Sequence, residues 1–412
     1  MKYSAVTSVA AGIILTMLLS FVVSSDIALF AGFIAVISLL IYSDRRKVKR
    51  EGIIVIRRTQ RGRNFIDNVA KACPRFWRVL SVIGIAVGII LMFVGSLVLI
   101  TQAIAVIEGA GAGGVKLLLP GPVAAPVNAP GVFVVPWWIW IIGIAVVIIP
   151  HEFMHGIMCR IDGVKIKSVG WLLLIIIPGA FVEPDEAQLK KKSRMTKLRV
   201  YAAGSFANMI VAAFVLVLAF VVTLAIFSSG AAVPYGVNFG GTLNNTPAYA
   251  ANMTGSIILL NGIEIRNQTS LSNALEKYSA GDTVEVVTAD TYFISGIMPS
   301  GIVDKSRTQR YNLTLAAHPE RAGAFLGISG VGQSILLNMN MNVYATVSVL
   351  LLWIFLFSFG IGLVNLLPIK PLDGGLILEE LVGGRKRVVK VISVAMLALL
   401  LFNLIGPLFL TG

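Results

Sequence analysis

The chain contains 412 residues, of which 57% are hydrophobic and only 13% are charged, and its mean hydropathy is +0.86. Soluble domains contain about 45–50% apolar and about 25% charged residues, so this chain cannot cover a water-facing surface. The same composition excludes a disordered chain, a collagen-like repeat and a disulfide-rich secreted scaffold. The sequence therefore predicts an integral membrane protein.

The net charge of +14 is concentrated beside apolar segments rather than spread over the chain. Twelve Lys and Arg residues lie within 45–78, and nine more lie within 160–199. Such flanks are typical of the cytoplasmic border of a membrane protein and attract anionic lipid, which favours this interpretation over nucleic-acid binding. We therefore expect anionic lipid at the cytoplasmic face and no nucleic-acid partner.

Seven apolar runs approach the ~20 residues that a membrane-spanning helix needs. The predicted spans are Val6–Val23, Ile27–Ile41, Leu80–Ile107, Val132–Met158, Val200–Phe227, Val343–Leu367 and Val388–Leu410. The first run follows Lys2, as in a signal peptide, but a second apolar run comes almost at once and favours an uncleaved helical hairpin. The predicted fold is a polytopic α-helical membrane protein with about seven transmembrane helices.

The distribution of basic residues predicts how these spans are oriented. Segments 43–78, 160–199 and 369–390 hold 12, 9 and 5 basic residues, whereas segment 108–131 holds one. By the positive-inside rule the N-terminus and the three basic segments are cytoplasmic. Segments 108–131 and 230–340 and the C-terminus are then outside a multi-pass protein of the cell membrane.

Segment 230–340 has the composition of a water-exposed α+β domain. Short alternating apolar runs are separated by turn residues such as Gly281-Asp282, which is typical of a small sheet. The Asn-x-Ser/Thr sequons of the chain all fall in this segment, at Asn244, Asn252, Asn267 and Asn312. Their position agrees with an extracytoplasmic location.

The apolar segment Ser168–Val182 is too short to span a bilayer as a helix. Its length and its content of β-branched residues favour an extended hairpin or a re-entrant segment. Such backbone is tolerated at membrane depth only where it is buried in protein or lines a water-filled cavity. A cavity is therefore expected nearby.

The fourth predicted span ends in the sequence His151-Glu152-Phe153-Met154-His155. On a helix, two histidines four residues apart lie on one face and can bind one metal ion. Glu152 is placed beside them to act as a general base, and Zn²⁺ suits two imidazoles with one carboxylate. Ionisable groups inside a span are costly and point to function, which favours a metal site over a structural histidine pair.

A third metal ligand must come from elsewhere in the chain. The candidates are Cys159, Asp162, Glu183, Asp185, Asp373 and Glu379. Asp373 is best placed by topology. The fourth span, which contains His155, and the sixth span, which precedes Asp373, both run from outside to inside, so both residues reach the cytoplasmic leaflet. His318, in segment 230–340, is interpreted as a surface histidine.

Several motifs together resemble the site-2 protease family of intramembrane zinc metalloproteases. They are His151-Glu152-Phe153-Met154-His155, Pro178-Gly179-Ala180-Phe181-Val182, Ala203-Gly204-Ser205-Phe206-Ala207-Asn208 and Asn365-Leu366-Leu367-Pro368 with Leu372-Asp373-Gly374. The resemblance implies Zn²⁺ bound by His151, His155 and Asp373, with Glu152 as the base. It also implies that Asn365 and Asn208 lie near the substrate or the oxyanion, and that the substrates are single-span membrane proteins cleaved within their transmembrane segments.

Segment 230–340 resembles a PDZ domain, as found between the core helices of many members of that family. The similarity lies in Asn245–Ala251 and Gly255–Gly262, and the insert Tyr292–Arg310 departs from the pattern. The implied organisation is 1–131 for the N-terminal helices with a basic cytoplasmic loop and 132–229 for the first part of the metalloprotease core. The PDZ-like domain then occupies 230–340, and 341–412 completes the core and adds the last helix.

Two other functions remain open at this point. A membrane metalloprotease of the prenylated-substrate type shares the His-Glu-x-x-His pattern but usually takes Glu as the third ligand, and it would need neither Asp373 nor an exterior domain. A transporter or a proteolytically silent scaffold is the non-enzymatic alternative, although the internal repeat common in transporters is not found. The sequence does not specify the oligomeric state.

Overall fold

A computed structural model describes residues 5–20, 25–43, 48–52, 54–109, 115–121, 132–174, 177–299, 301–318 and 323–410. The chain divides into two units, one formed by Met1–Ala213 with Trp353–Gly412 and the other by Phe214–Leu352. The helices Arg194–Ser228 and Met341–Asn365 each include residues of both units.

The elements as far as the second unit are, in chain order, α1 Ala5–Leu19, α2 Ser25–Ser43, β1 Val48–Glu51, β2 Ile54–Arg58, α3 Gln60–Ala72, α4 Pro74–Ile107, β3 Leu117–Gly121, β4 Val132–Pro136, α5 Trp137–Ile161, β5 Ile166–Leu174, β6 Ile177–Pro184, α6 Glu186–Lys190 and α7 Arg194–Ser228. Those that follow are β7 Ala232–Asn238, β8 Gly241–Thr242, α8 Pro247–Ala250, β9 Ser256–Leu260, β10 Ile263–Glu264, α9 Gln268–Leu275, β11 Thr283–Phe293, β12 Gly301–Thr314, β13 Ala316–Ala317, β14 Ala324–Phe325, β15 Ile328–Ser329, β16 Gly332–Leu337, α10 Met341–Asn365, α11 Asp373–Leu381, α12 Lys386–Ile405 and α13 Pro407–Leu410.

Within the described residues, five helices are long and apolar enough to cross a membrane: α4, α5, α7, α10 and α12. The two N-terminal apolar runs form helices as well, but their apolar stretches, Val9–Leu19 and Asp26–Leu39, are shorter. The prediction of seven spans is therefore supported for five, and the count of seven stays a prediction. Most of segment 108–131, which was predicted to be outside, falls outside the described residues.

One predicted span begins later than expected. Residues Val132–Pro136 form strand β4, which pairs in parallel with β3, and the helix begins only at Trp137. The run Val-Phe-Val-Val is rich in β-branched residues, and Pro136 cannot donate to a helix that continues through it. Composition alone does not distinguish this strand from the first turn of the helix.

The first two helices form the predicted hairpin through close contact at glycine. Gly12 of α1 packs on Val36 of α2, and Gly32 packs on Thr16, so neither position has room for a side chain. At the start of α2 the Asp26 carboxylate accepts a hydrogen bond from Trp137 Nε1 at 2.9 Å. The beginnings of α2 and α5 therefore lie together.

The segment predicted to be an extended hairpin is the antiparallel pair β5–β6, with Val169 opposite Val182 and Trp171 opposite Ala180. Its tip, residues 175–176, lies outside the described residues. Strand β2 pairs antiparallel with the other side of β5, and β1 follows it, so the sheet order is β1-β2-β5-β6. In the part of the chain that the structure describes, β2 covers β5 and no strand pairs with the outer side of β6, which is the free edge beside the histidine helix α5.

Helix α3 packs between this sheet and α5. Ile66 is fully buried in an apolar cluster that includes Val169 of β5 and Ile157 of α5. Gly156 of α5 lies directly against the Ile66 side chain, and Gly62 of α3 lies against Val169. The Asp67 carboxylate of α3 pairs with Arg160 at 2.5 Å. Segment 48–72, predicted only as a basic flank, is thus part of the packed unit.

The second unit is an α+β structure whose sheet has the strand order β10-β9-β11-β12-β16-β7. Strand β7 also pairs with β9, so β9, β11, β12, β16 and β7 close on themselves and leave few free edges. Helix α9 is capped at its start by Asn267, whose side chain accepts a hydrogen bond from Ser270 N. An α+β domain in this segment agrees with the prediction, and its likeness to a PDZ domain stays a prediction.

The insert between β11 and β12 packs on the first turns of α10 within this unit. Ser348 Oγ accepts a hydrogen bond from Met298 N at 3.0 Å, and Tyr344 donates to the Pro299 carbonyl at 2.8 Å. Met298 and Tyr344 share a buried apolar cluster with Ala232 and Ile302. Part of the sequence insert therefore extends the hairpin β11–β12, and its remainder anchors the sheet to α10.

Candidate metal and catalytic centre

Helix α5 places two imidazoles on one face near its C-terminal end. His151 and His155 are four residues apart, one helical turn, and their Nε2 atoms lie 3.2 Å from each other. Pro150 precedes the pair and removes one backbone donor from the helix. Both nitrogens point to the same small space beside α7.

Asp373, the first residue of α11, brings a carboxylate to the same space from a distant part of the chain. Its two oxygens lie 3.5 Å from His151 Nε2 and 3.5 Å from His155 Nε2. The next two residues are glycines that press on the preceding loop: Gly374 lies against the Leu366 carbonyl and Gly375 against the Ile369 carbonyl. A side chain at either glycine would push Asp373 away from the histidines.

The spacing of these three ligands fits a tetrahedral metal ion. Their ligand atoms all lie within 4.8 Å of one another. A Zn²⁺ ion with bonds of about 2.0–2.1 Å in tetrahedral geometry holds its ligand atoms about 3.3 Å apart, close to the distances of 3.2 and 3.5 Å found here. The donor set of two imidazoles and one carboxylate is also that of catalytic zinc sites with an open position.

Gly204 of α7 leaves the space that such an ion would need. A Cβ atom at this position would lie inside van der Waals contact of the Nε2 atoms of both histidines. The helix backbone therefore approaches the imidazoles as closely as it can. This close approach requires glycine, which has no side chain.

Helix α7 also determines which nitrogen of His155 faces the centre. His155 Nδ1 lies 2.6 Å from the Val200 carbonyl oxygen, which can only accept a hydrogen bond. Nδ1 must therefore carry the proton, and a neutral ring then presents the lone pair of Nε2 to the centre. Metal-binding histidines usually have this kind of carbonyl partner.

Two further side chains of α7 contact the remaining ligands. Ser205 donates a hydrogen bond to Asp373 Oδ2 at 2.9 Å. The Asn208 amide lies 3.1 Å from His151 Nδ1. Asn208 was predicted to lie near the substrate or oxyanion, and the structure places it behind His151. Asn365, the last residue of α10, is half-buried, and within the described residues its side chain has no hydrogen bond.

Glu152 lies next to His151 and is held by the free sheet edge. Its Oε2 accepts a hydrogen bond from the backbone N–H of Val182 in β6 at 3.0 Å. The carboxylate that could serve as a base is therefore fixed between the histidine helix and the strand at which a peptide could pair. This arrangement joins the two motifs that the sequence predicted separately.

The other candidate third ligands have different partners. Asp162 pairs with Arg199, Glu183 accepts from Ser168, and Glu379 pairs with Lys370. Asp185 caps α6 by accepting from Gln188 N, and Cys159 is buried in the apolar cluster around Ile66. Among the described residues, only Asp373 joins the two histidines in a group of metal-binding type.

A cavity of about 810 Å³ reaches His155 and Asp373. Charged side chains line it, among them Lys197, Glu380 and Lys370. Burial raises the pKa of the Asp373 carboxyl, but His155, His151 and the Ser205 hydroxyl outweigh it and hold this pKa below its usual value. The carboxylate is thus ready to bind a cation, and a polar cavity of this size can supply water.

Sequence reasoning missed three contributors to the centre: the Val200 carbonyl, Gly204 and Ser205. The family resemblance includes the stretch Ala203–Asn208 but implies a role for Asn208 alone. A helical face with period 3.6 would have placed residues 200, 204 and 208 in line. Which face turns to the histidines is decided by tertiary packing.

Comparison with known proteins agrees with this centre. The model of the family described as peptidase family M50 matches residues 139–404, more than half of the chain and all of the residues that form the centre. An uncharacterized protein of Methanocaldococcus jannaschii is 32% identical over 180 residues, which are 43% of this chain and 46% of that protein. The chain therefore spans about half the length of this relative.

Proposed function

The chain belongs to peptidase family M50, a family of membrane metallopeptidases, and on this premise we propose that it is a zinc-dependent intramembrane endopeptidase. Its substrates are single-span membrane proteins, which it cleaves within their transmembrane segments in regulated intramembrane proteolysis. The observation that carries this proposal is the convergence of His151, His155 and Asp373 within 4.8 Å. Glu152 lies beside them and contacts a free strand edge.

Zinc would be held by the three converging residues. When bound, it supplies a Lewis acid for the scissile carbonyl and for the attacking water. The donor set, the ligand spacing of 3.2–3.5 Å and the space left by Gly204 support this choice.

Glu152 performs the proton transfers. As a carboxylate it accepts the proton of the attacking water, and as a carboxylic acid it delivers a proton to the leaving amine, so that the group is regenerated. The Val182 N–H holds Oε2 in place during this exchange. Positioned acid–base groups of this kind contribute roughly 10²–10⁴-fold to a rate.

Strand β6 is the docking edge for the substrate. A transmembrane helix hides its carbonyls in internal hydrogen bonds, so a substrate must be unwound before a peptide bond can be attacked. An unwound stretch can add to a free strand edge by β-augmentation. Strand β5 has no free edge, because β2 and β6 pair with both of its sides.

The Glu152→Gln substitution tests the proposal in purified full-length protein reconstituted with a single-span substrate. We expect unchanged zinc content, measured by mass spectrometry of the metal, with cleavage reduced at least ~100-fold because the base is lost. Glu183→Gln on strand β6 leaves the backbone edge unchanged, so it serves as the matched control and should retain cleavage. A chelator should abolish wild-type cleavage and added zinc should restore it.

Undiminished cleavage by Glu152→Gln would contradict the assigned mechanism. A wild-type protein that binds zinc but cleaves no membrane-embedded substrate would favour the scaffold alternative. Cleavage that survives complete removal of the metal would exclude a metallopeptidase.

A further inference from the structure

A single stretch of α7, Val200–Asn208, contacts all three proposed metal ligands and so supports them. The Val200 carbonyl accepts from His155 Nδ1, Ser205 donates to Asp373, and the Asn208 amide lies against His151 Nδ1. Helices α5 and α11 supply the ligands and the catalytic carboxylate, and strand β6 holds Glu152. The outer contacts of the three ligands, in contrast, come from one helix, α7.

The two polar side chains in this stretch are completely buried in an apolar helix. Ser205 and Asn208 are both 0% exposed. Polar groups at such positions are costly in a membrane protein unless they are paired and functional. Gly362 of α10 faces this stretch, because a Cβ there would overlap the Met209 methyl and lie 3.0 Å from Asn208 Cβ. Asn208 therefore lies between α10 and His151.

The amide of Asn208 is the side chain that contacts His151 Nδ1, and the Gly204 backbone also interacts with this imidazole. In the orientation seen here the amide nitrogen faces His151 Nδ1, and the amide oxygen is buried without a hydrogen-bond partner. A rotation of the amide by 180° exchanges these two atoms of nearly equal size. The oxygen then accepts from Nδ1–H, and the lone pair of His151 Nε2 faces the ion.

We propose that Asn208 is a positioning residue of the metal centre, which accepts a hydrogen bond from His151 Nδ1 and thereby directs Nε2 to the metal. This inference rests on the proposed metal-binding function of the site. It assigns Asn208 to the support of a ligand rather than to the substrate. Together with the Val200 carbonyl at His155, it gives each imidazole an oxygen acceptor on α7.

The test compares metal affinity across three variants of the full-length protein in detergent. Asn208→Leu keeps the size of the side chain and removes the acceptor, whereas Asn208→Asp keeps an acceptor oxygen. Asn403→Leu is the matched control, because Asn403 is also 0% exposed in a membrane helix but bonds to Leu99 and Leu399 carbonyls away from the centre. Zinc affinity is measured by competition with a chromophoric chelator, and ligand geometry by the visible spectrum of the Co²⁺-loaded protein.

We expect zinc affinity to fall about 10–100-fold in Asn208→Leu, as for other partners of ligating histidines, with an altered Co²⁺ spectrum. Asn208→Asp should bind zinc within a few-fold of wild type, and so should Asn403→Leu. Wild-type affinity and spectrum in Asn208→Leu, with the loss confined to KM for substrate, would overturn the inference in favour of a substrate contact. An equal loss of affinity in Asn208→Asp would overturn it too, even if Asn208→Leu failed to fold.

The two proposals fail in different ways. If the wild-type protein binds no zinc, the proposed function fails. If the wild type binds zinc and Glu152→Gln is inactive, but Asn208→Leu binds zinc as tightly as the wild type, only the role of Asn208 fails.

Discussion

Two kinds of residue form this centre: residues whose side chains supply metal-binding atoms, and glycines whose lack of a side chain leaves space. The histidines and Asp373 supply metal-binding atoms, and Gly204 leaves space beside both imidazoles. Gly374 lets the loop before Asp373 come close, and Gly362 lets α10 approach Asn208. Two of these glycines lie inside spanning helices, α7 and α10, where a glycine costs about 1 kcal/mol relative to alanine. The cost is offset because each contact fixes a ligand or its partner.

Gly204→Ala should therefore remove the metal without changing any ligand. A methyl group there would meet the Nε2 atoms of His151 and His155 and occupy the space between them. We expect zinc content to fall to background, measured by metal analysis of purified protein. Gly156→Ala on α5 is the control, because the nearest neighbours of its methyl would be the side chains of Ile66 and Val182 and not a metal ligand. Full zinc occupancy in Gly204→Ala would show that the ion does not bind at this place.

At the scale of elements, the centre depends on the edge of strand β6, since the neighbouring strand β5 is already paired on both of its sides. Strand β2 pairs with β5 from Ile54 opposite Leu174 to Arg58 opposite Gly170. Since Val182 N–H points away from β5 to Glu152, the backbone of Ala180, two residues earlier, faces the same open side. An added strand would bond at Ala180, whereas the Val182 N–H remains bonded to Glu152.

Ala180→Pro tests this edge, because proline is tolerated in an edge strand but has no N–H to donate. We expect unchanged zinc content and a cleavage efficiency lower by about 2- to 10-fold, the worth of one hydrogen bond of about 0.5–1.5 kcal/mol. Ala180→Ser, which keeps the N–H, should cleave as the wild type does. The measurement is kcat/KM on a membrane-embedded substrate, and equal values for the proline and serine variants would exclude this edge as the docking site.

Helix α3 packs in one apolar cluster with α5 and the sheet β5–β6, although it precedes residue 139, where the family match begins. Ile66→Ala should destabilise the protein by about 2–5 kcal/mol, because it removes a side chain that is 0% exposed beneath α5. Thermal unfolding in detergent measures the loss. The adjacent Phe65→Ala is the control, since Phe65 is 56% exposed and its removal leaves no cavity. Equal stability of the two variants would mean that α3 is not packed against α5 in the membrane.

How much of this could be predicted from the sequence differs from element to element. The spacing of His151 and His155, the hairpin after them and the depth of Asp373 follow from period, length and charge, which act locally. The role of β1, β2 and α3 does not, because the alternation in Ile54–Arg58 is short and is surrounded by basic residues that resemble a membrane flank. Ser205 and the Val200 carbonyl could not be assigned either, since their importance depends on the rotation of α7 against α5.

At the scale of the whole molecule, charge and structure together predict how the chain crosses the membrane. The basic segments border the span ends that the positive-inside rule predicts to be cytoplasmic, and the centre lies near the ends of α5 and α10 that lead into them. Asp26 and Trp137, whose side chains are bonded at 2.9 Å, begin α2 and α5 at one level. This contact agrees with the prediction that both helices start on the outer side, the side on which segment 230–340 is also expected.

The two native cysteines allow this orientation to be measured directly. Cys73 is exposed at the start of α4 and Cys159 is buried in α5. A membrane-impermeant maleimide should therefore leave intact cells unlabelled and react with Cys73 once the cells are permeabilised, whereas Cys159 should react only after denaturation. In a Cys73→Ser background, Gln268→Cys on the exposed start of α9 should be labelled in intact cells, because segment 230–340 is predicted to lie outside. Labelling of Cys73 before permeabilisation, with Gln268→Cys protected, would reverse the orientation. The basic segments would then face outward, against the positive-inside rule, while the geometry of the metal centre would stand.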